Sequence, residues 1–580
     1  MTFRAQPVFP PLLIAALALL PSSKWEESAK TNAQIIYVDQ SNALADDTNP
    51  GTASRPLETI AGAIEIASGY NDQSIPVRLI IRAGIYRESL QLIADDTTTS
   101  APLSIEGEGS GVIVSGSDIW TDWVGGSDGT YYHPWPYKWG LGSVADWPEH
   151  VLTYLDDNPI ISRREMVFVD GVPLLQVMSL EEMTSAENSF FVSEDTEQLF
   201  VNVPSDTDMA MTTVEVAVRP TLLLVGSRHN VSIRNLTFQH APNGIDDSAA
   251  VVIANSADVS VIDSRFIWNN GSGLGLFEDV GITIRQSEAN RNGISGLAGY
   301  RVRNLNVVDT EASFNGWRGS RGWSTDNHDE PIDLNFIDFA TGQKFFRLRH
   351  ASFHNYRAIG NLTGGLWLDY DNSDVTIHNA VLKGNLTHGL MVEASQGPVW
   401  VERSQICGNE TGILVNSSSN VHVVANSLAG NLLGQLVVLG GPRSVLERDS
   451  GKRIDVQNES LVIQRNQVAA DDGQAAVSTY IDGDLWAAYT DSVDSNHNLY
   501  SSPTSREVFQ LPGRRRVTLN QWKTETGTDL DSTFSFRQPE CSIPLDEVNV
   551  SPSVFRPWIV VIALGLGAVI AWIIRSASRA

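Results

Sequence analysis

The chain has 580 residues with 68 acidic against 40 basic side chains, a net charge of −28 and a pI near 4.7. So acidic a chain lacks the basic surface that a phosphate backbone demands, which excludes nucleic acid as a partner and weighs against polyanionic substrates such as pectate or alginate. Its two cysteines, Cys407 and Cys541, are too few for a disulfide scaffold, sit in no metal-ligand or redox spacing, and do not reveal from sequence whether they pair.

Residues 1–30 begin with Arg4 and an apolar run at 12–20, which reads as a secretory signal-like segment. Residues 31–117 hold a first strand at 35–39 and then Ile60, Ile64 and Ala67 at helical spacing. A short helix there is expected to cover the open end of a solenoid, whose first coils start at 77–90 and 102–109. From 118 to 212 the repeat is absent. Trp120, Trp123, Tyr131, Tyr132, Trp135, Tyr137, Trp139 and Trp147 precede two hairpins, 166–177 and 190–203, which predicts an inserted small β-sandwich or hairpin module. Its aromatic rings are expected to form the module's own core in preference to stacking on sugar.

Residues 213–535 carry a repeat of short β-branched strands, an asparagine and a glycine. It recurs at Val259/Asn269/Gly273, Ile282/Asn292/Gly296, Val375/Asn385/Gly389, Val399/Asn409/Gly412 and Val421/Asn431/Gly434, and the glycines of adjacent repeats stand 22 or 23 residues apart. That length allows three strands and three turns per coil, and no helical periodicity competes with it. The fold class is therefore all-β, a right-handed parallel β-helix. The asparagines at 269, 292, 385, 409 and 431 are expected to stack in the turns. A long polar loop at 317–343 breaks the period, and with it come Trp317, Trp323, His328 and the adjacent Lys344 as candidate substrate contacts. The pattern weakens after Leu436, and 517–532 reads as an amphipathic closing element. A proline-containing linker at 536–557 leads to 558–574, 17 uncharged and mostly apolar residues bounded by Arg556 and Arg575. That is the short limit for a transmembrane helix, and the flanking arginines predict a cytoplasmic C-terminus with the β-helix outside.

The chemistry concentrates in two matching phrases, Gly365-Leu-Trp-Leu-Asp369 and Gly389-Leu-Met-Val-Glu393. Alternation places Leu366, Leu368, Leu390 and Val392 inside and Trp367, Asp369, Met391 and Glu393 outside. Asp369 and Glu393 are 24 residues apart, one coil, and are expected as outward neighbours about 4.8 Å apart, with Tyr300 before them and Asn416 and Val438 after them. Like charges at such sites repel, so a purely structural sequence tends to avoid them. A pair this close titrates as one unit with one pKa raised, and its spacing suits a retaining glycosidase better than an inverting one. Trp367, Tyr370 and His388 flank the pair. His350, His354 and His378 lie in no metal-binding pattern, and no metal site is predicted.

The phrases YVD, PGT, RPLETI and AGIYRE resemble the N-terminal cap of secreted pectate-lyase-like β-helix proteins. GLWLD followed by GLMVE, together with FVDGVPLLQV in the module and the GQKFF…NLTGGLWLD passage, resembles the β-helical β-xylosidases, a family of retaining glycoside hydrolases. The resemblance implies Asp369 as nucleophile and Glu393 as acid/base, no cofactor, and a neutral glycan as substrate. It does not extend to the 317–343 loop or the C-terminal run. Two other readings stand beside it. One is a calcium-dependent polysaccharide lyase or epimerase, with Asp369, Asp371, Asp374 and Glu393 on Ca²⁺ and Arg347, Arg349 or Lys383 as base. The other is a non-catalytic glycan-binding surface protein. The expected location is outside the cytoplasm, anchored in the membrane by the C-terminus.

Overall fold

A computed structural model of the chain describes residues 33–94, 101–125, 129–144, 149–246, 249–318, 343–537 and 540. The signal-like segment, most of the long loop, the linker and the run at 558–574 fall outside these residues. The described residues belong to one compact unit. Among the described residues no helix is long and apolar enough to cross a membrane.

The alternation of small β-branched residues builds three sheets that wind around one interior, parallel throughout except for a final antiparallel pair, Phe509–Leu511 with Arg515–Val517. Two of them have 13 strands each, and the third is divided into stretches of five and seven. A pair of isolated bridges at Glu311, to Glu288 and to Arg357, joins the two stretches of the third sheet. In-register stacking carries one apolar column through the first sheet, Ile233–Val261–Ile284–Val307–Phe353–Ile377–Val401, every member buried. Each coil thus buries its apolar side chains against the next, which is how a solenoid makes a core without a layered domain.

The turns are held by asparagines. Asn269 donates through Nδ2 to Asn292 Oδ1 at 2.9 Å, and the ladder continues through Asn315, Asn361, Asn385, Asn409 and Asn431 to Gln435. Each Nδ2 also meets a main-chain carbonyl of a neighbouring coil, as Asn385 does at Ala358 O, 3.1 Å. A fully bonded amide is the form in which such a polar group is tolerated inside. The step from Asn315 to Asn361 spans 46 residues where its neighbours span 23 and 24, so the long loop enters the solenoid inside a single coil.

Both ends of the stack are covered. Helix α1, Ile60–Asp72, starts at the Thr59 cap, and Glu88 accepts from the Ile60 and Ala61 amides. Its buried face of Ile60, Ala63, Ile64 and Ala67 joins the same core as Val38 and Leu79. At the other end α2, Leu519–Thr526, opens with a capping box between Thr518 and Gln521 and buries Leu519 and Trp522. Trp522 donates to Asp529 at 3.1 Å, a buried carboxylate that also accepts from Ser495, Asn498, Tyr500 and Ser532.

The inserted residues form a four-stranded and a five-stranded sheet. Phe168 pairs antiparallel with Pro173 and Phe191 with Phe200, so both expected hairpins form. Trp135 lies buried among Val167, Phe190, Leu199, Val201 and Val214, with Trp120, Trp123, Tyr131, Tyr137 and Trp139 packed around them. These rings build the core between the two sheets. A buried seam joins the insert to the coils: Arg318 donates to Asn270 at 2.9 Å, to Gln176 at 2.9 Å and to the carbonyl of Glu165 at 3.2 Å.

Candidate active site

The candidate site lies on one of the 13-stranded sheets and uses seven strands. They are β1 (Lys344–Phe346), β2 (Leu366–Asp369), β3 (His388–Glu393), β4 (Thr411–Asn416), β5 (Gly434–Leu439) and the antiparallel hairpin β6 (Arg443–Leu446) and β7 (Arg453–Val456). Strands β1 to β5 are parallel neighbours in that order. Gly364 and Gly365 allow the coils to close here: a Cβ on the first would strike His388 Nε2, and one on the second the carbonyl of Gly389.

Asp369 pairs in register with Glu393, and the column runs Tyr300, Phe346, Asp369, Glu393, Asn416, Leu439. Leu439 stands where glycine spacing put Val438, because Gly434 aligns with Thr411 and not with Gly412. Leu366, Leu368, Leu390 and Val392 belong to the solenoid core, while Trp367 and Met391 form a separate outer cluster with Leu414 and Val437. The two carboxylates therefore point away from the interior, yet Asp369 is only 8% and Glu393 only 9% exposed. They are not open surface acids, because side chains from outside their own strands close over them.

Lys344, one strand before, places Nζ 3.0 Å from Asp369 Oδ2 and 3.7 Å from the centre of the Trp367 ring. Its ammonium balances the aspartate charge and lies against the ring face. Glu393 is held differently. Asn416 Nδ2 donates to Oε1 at 3.0 Å, and Arg443 Nη1 donates to the same oxygen. Burial, then the charge of Asp369, pushes the Glu393 carboxyl up to about 7, against the opposing pull of Arg443 and Lys344. Both acids are thus buried beside a cation, and for Glu393 burial and the Asp369 charge outweigh that pull.

His388 lies buried on β3 with Trp367 edge-on at 6.0 Å, and burial followed by the nearby Lys344 charge lowers its pKa to about 3. It is a neutral imidazole. Trp367 Nε1 and His388 Nε2 are buried without a protein hydrogen-bond partner. Tyr370 directly follows Asp369; its hydroxyl accepts from the Leu446 amide at 2.8 Å, and Arg347 lies over its ring at 5.2 Å.

The hairpin β6–β7 is the part of the site that periodicity did not reveal. Its turn is fastened by Arg349, a buried guanidinium that reaches Asp371 at 2.9 Å, Glu447 at 2.8 Å and Asp449 at 2.8 Å. The Arg448 amide donates to Asp371 at 2.8 Å, and Val445 and Val456 pack on Ala394 beside Tyr370. The hairpin therefore docks on the residues that immediately follow both carboxylates. Only its own residues could have shown it, through the lengthened step from Ser418 to Asn458, 40 residues against the usual 23.

Other candidates are distributed elsewhere. Trp317 packs with Met166, Phe168, Ala217 and Trp268 at the seam and donates to the Arg291 carbonyl at 2.9 Å. Trp323 and His328 lie outside the described residues. Asp371 is engaged by Arg349, Gln396 and Arg448, Asp374 pairs with His350, and Lys383 lies on a different sheet from Asp369. The oxygen donors of the calcium reading are thus already committed, and no group of residues suited to a metal ion occurs among the described residues. Cys407 is disulfide-bonded.

Residues 221–428 match the family model described as a right handed beta helix region. Among solved structures, the complex of XylC with xylose superposes with a TM-score of 0.62 at 12% identity, covering 87% of this chain and 86% of that one. A glycoside hydrolase aligns with a TM-score of 0.44 at 11% identity, covering 88% and 97%. The A-module of the Azotobacter vinelandii mannuronan C-5 epimerase AlgE6 aligns at 0.42 and 12%, covering 83% and 93%. No curated protein matches the chain in sequence. The fold is a right-handed parallel β-helix.

Proposed function

We propose that the protein is a retaining glycoside hydrolase that attacks a neutral sugar unit of an oligosaccharide or polysaccharide, with Asp369 as nucleophile and Glu393 as acid/base. The observation that carries this reading is the buried in-register pair, with Asp369 beside the Lys344 ammonium and the Glu393 carboxyl pushed up to about 7. Parallel neighbours stand about 4.8 Å apart, close to the 5–5.5 Å that a double displacement uses. In the first step an Asp369 oxygen bonds to the anomeric carbon while the glycosidic bond breaks and Glu393 passes its proton to the leaving oxygen. In the second, the Glu393 carboxylate takes a proton from water, the hydroxide displaces Asp369, and Glu393 ends protonated. Lys344 stands beside the nucleophile throughout. The XylC complex contains xylose, which makes a β-xyloside the first substrate to try.

Asp369→Ala is expected to abolish turnover of an activated aryl β-xyloside, and azide to restore part of it as glycosyl azide. Full activity in that variant would remove the assignment. Export and C-terminal anchoring are proposed on the sequence of residues 1–30 and 558–574 alone.

A further inference from the structure

The geometry points to a carboxylate-binding position on the leaving-group side of the site, centred on Arg443, so that the preferred substrate carries an acidic group on the sugar or aglycone that departs. This rests on the retaining-hydrolase reading, because it is there that Glu393 faces the leaving oxygen. Arg443 stands at the rim of the hairpin with its side chain 45% exposed, and Nη1 is bonded to Glu393. A guanidinium offers five N–H donors in a planar fork that matches a carboxylate. None of the others has a partner among the described residues.

Two features make this more than an ion pair at a surface. First, the arginine is placed, not merely present. The hairpin that carries it is fastened by Arg349 to Asp371, Glu447 and Asp449 and by Tyr370 to Leu446, all within 2.9 Å. Second, the proposed chemistry removes its partner. Glu393 must be protonated to act as the acid, and a neutral carboxyl no longer balances Arg443. A substrate carboxylate beside the leaving oxygen restores that balance and meets the unused donors two at a time. Elsewhere the chain carries an excess of acidic groups, so an acidic substrate needs such a fixed cation to be held at all. The sugar attacked by Asp369 stays neutral in this scheme, with Lys344 already committed to the nucleophile.

The test compares two sulfur-linked, uncleaved ligands, the para-carboxyphenyl and para-carbamoylphenyl 1-thio-β-xylosides, by calorimetry on the full chain. The carboxylate is expected to bind about ten- to hundredfold tighter than the amide, the worth of one charge-assisted contact. In Arg443→Met the preference is expected to fall to about unity, and in Arg443→Lys to recover in part. Equal binding of the two ligands, no binding of either, or a preference that survives Arg443→Met overturns the inference. Because binding is read without turnover, this result is separate from the Asp369→Ala assay, and either reading can fail alone.

Discussion

Glu393→Gln should stabilise the folded chain at neutral pH while abolishing the proton transfer. In the folded state the Glu393 carboxyl holds its proton to about 7, against 4.5 for an ordinary glutamate. Sign follows from linkage: the folded state binds this proton more tightly than the unfolded one, so the contribution is fully present below about 4.5 and is lost as pH rises to about 7. At about 1.4 kcal/mol per pH unit the loss is about 3 kcal/mol, an upper figure for a site this buried. Glutamine is neutral at every pH and mimics the protonated form, so the variant escapes the loss. The assay is thermal unfolding of both proteins between pH 4 and pH 8, read as the difference in midpoint because a long repeat array need not unfold all-or-none. The two are expected to coincide near pH 4, with the variant pulling ahead up to about pH 7 and the gap levelling off above it. A variant equal to or less stable than the parent at pH 8 would refute the argument that burial and Asp369 keep this carboxyl neutral.

Lys344→Met removes a charge that pulls the Glu393 pKa down, so the alkaline limb of the kcat/KM profile on an aryl glycoside should move to higher pH while kcat itself falls. Arg349→Met strands Asp371 in the interior without its partner, which should cost about 3–5 kcal/mol and open the 443–456 hairpin to proteolysis at pH 7. Asn361→Ala takes out a ladder member bonded to Asn315 and Asn385, leaving buried groups unsatisfied at a cost of about 1–3 kcal/mol, measured as a lowered Tm with the active-site pH profile unchanged.

Much of the fold was legible because a solenoid repeats one local problem. Each coil must turn inward apolar residues at period two and seat an amide in its turn, so the spacing of Val, Asn and Gly along the chain already encodes the stacking of strands. That is why the pairing of Asp369 with Glu393 followed from counting 24 residues, and why the asparagines at 269, 292, 385, 409 and 431 proved to be one ladder. Counting failed by one residue at Leu439, where the coil length changes and the glycine no longer marks the register. The aromatic-rich insert was recognisable by its loss of period, and the expectation that its rings pack on one another holds for Trp135 and its neighbours, which close a core of their own.

The environment of the pair was decided by contacts that no period reports. Alternation says which way a side chain points from its strand, but not what arrives from elsewhere to cover it. Asp369 and Glu393 were expected as outward neighbours and are, and the structure adds that they are buried under Lys344 and Arg443. Arg443 is 50 residues beyond Glu393, on a hairpin that breaks the repeat, and its approach depends on the buried Arg349 network. Trp317 likewise carried a composition that suits sugar binding, and packing placed it at the seam with Phe168. Local sequence determines register because register is a matter of period. The ionisation of a carboxyl is a matter of desolvation and of charges brought within a few ångströms by distant parts of the chain, and only the tertiary structure supplies those.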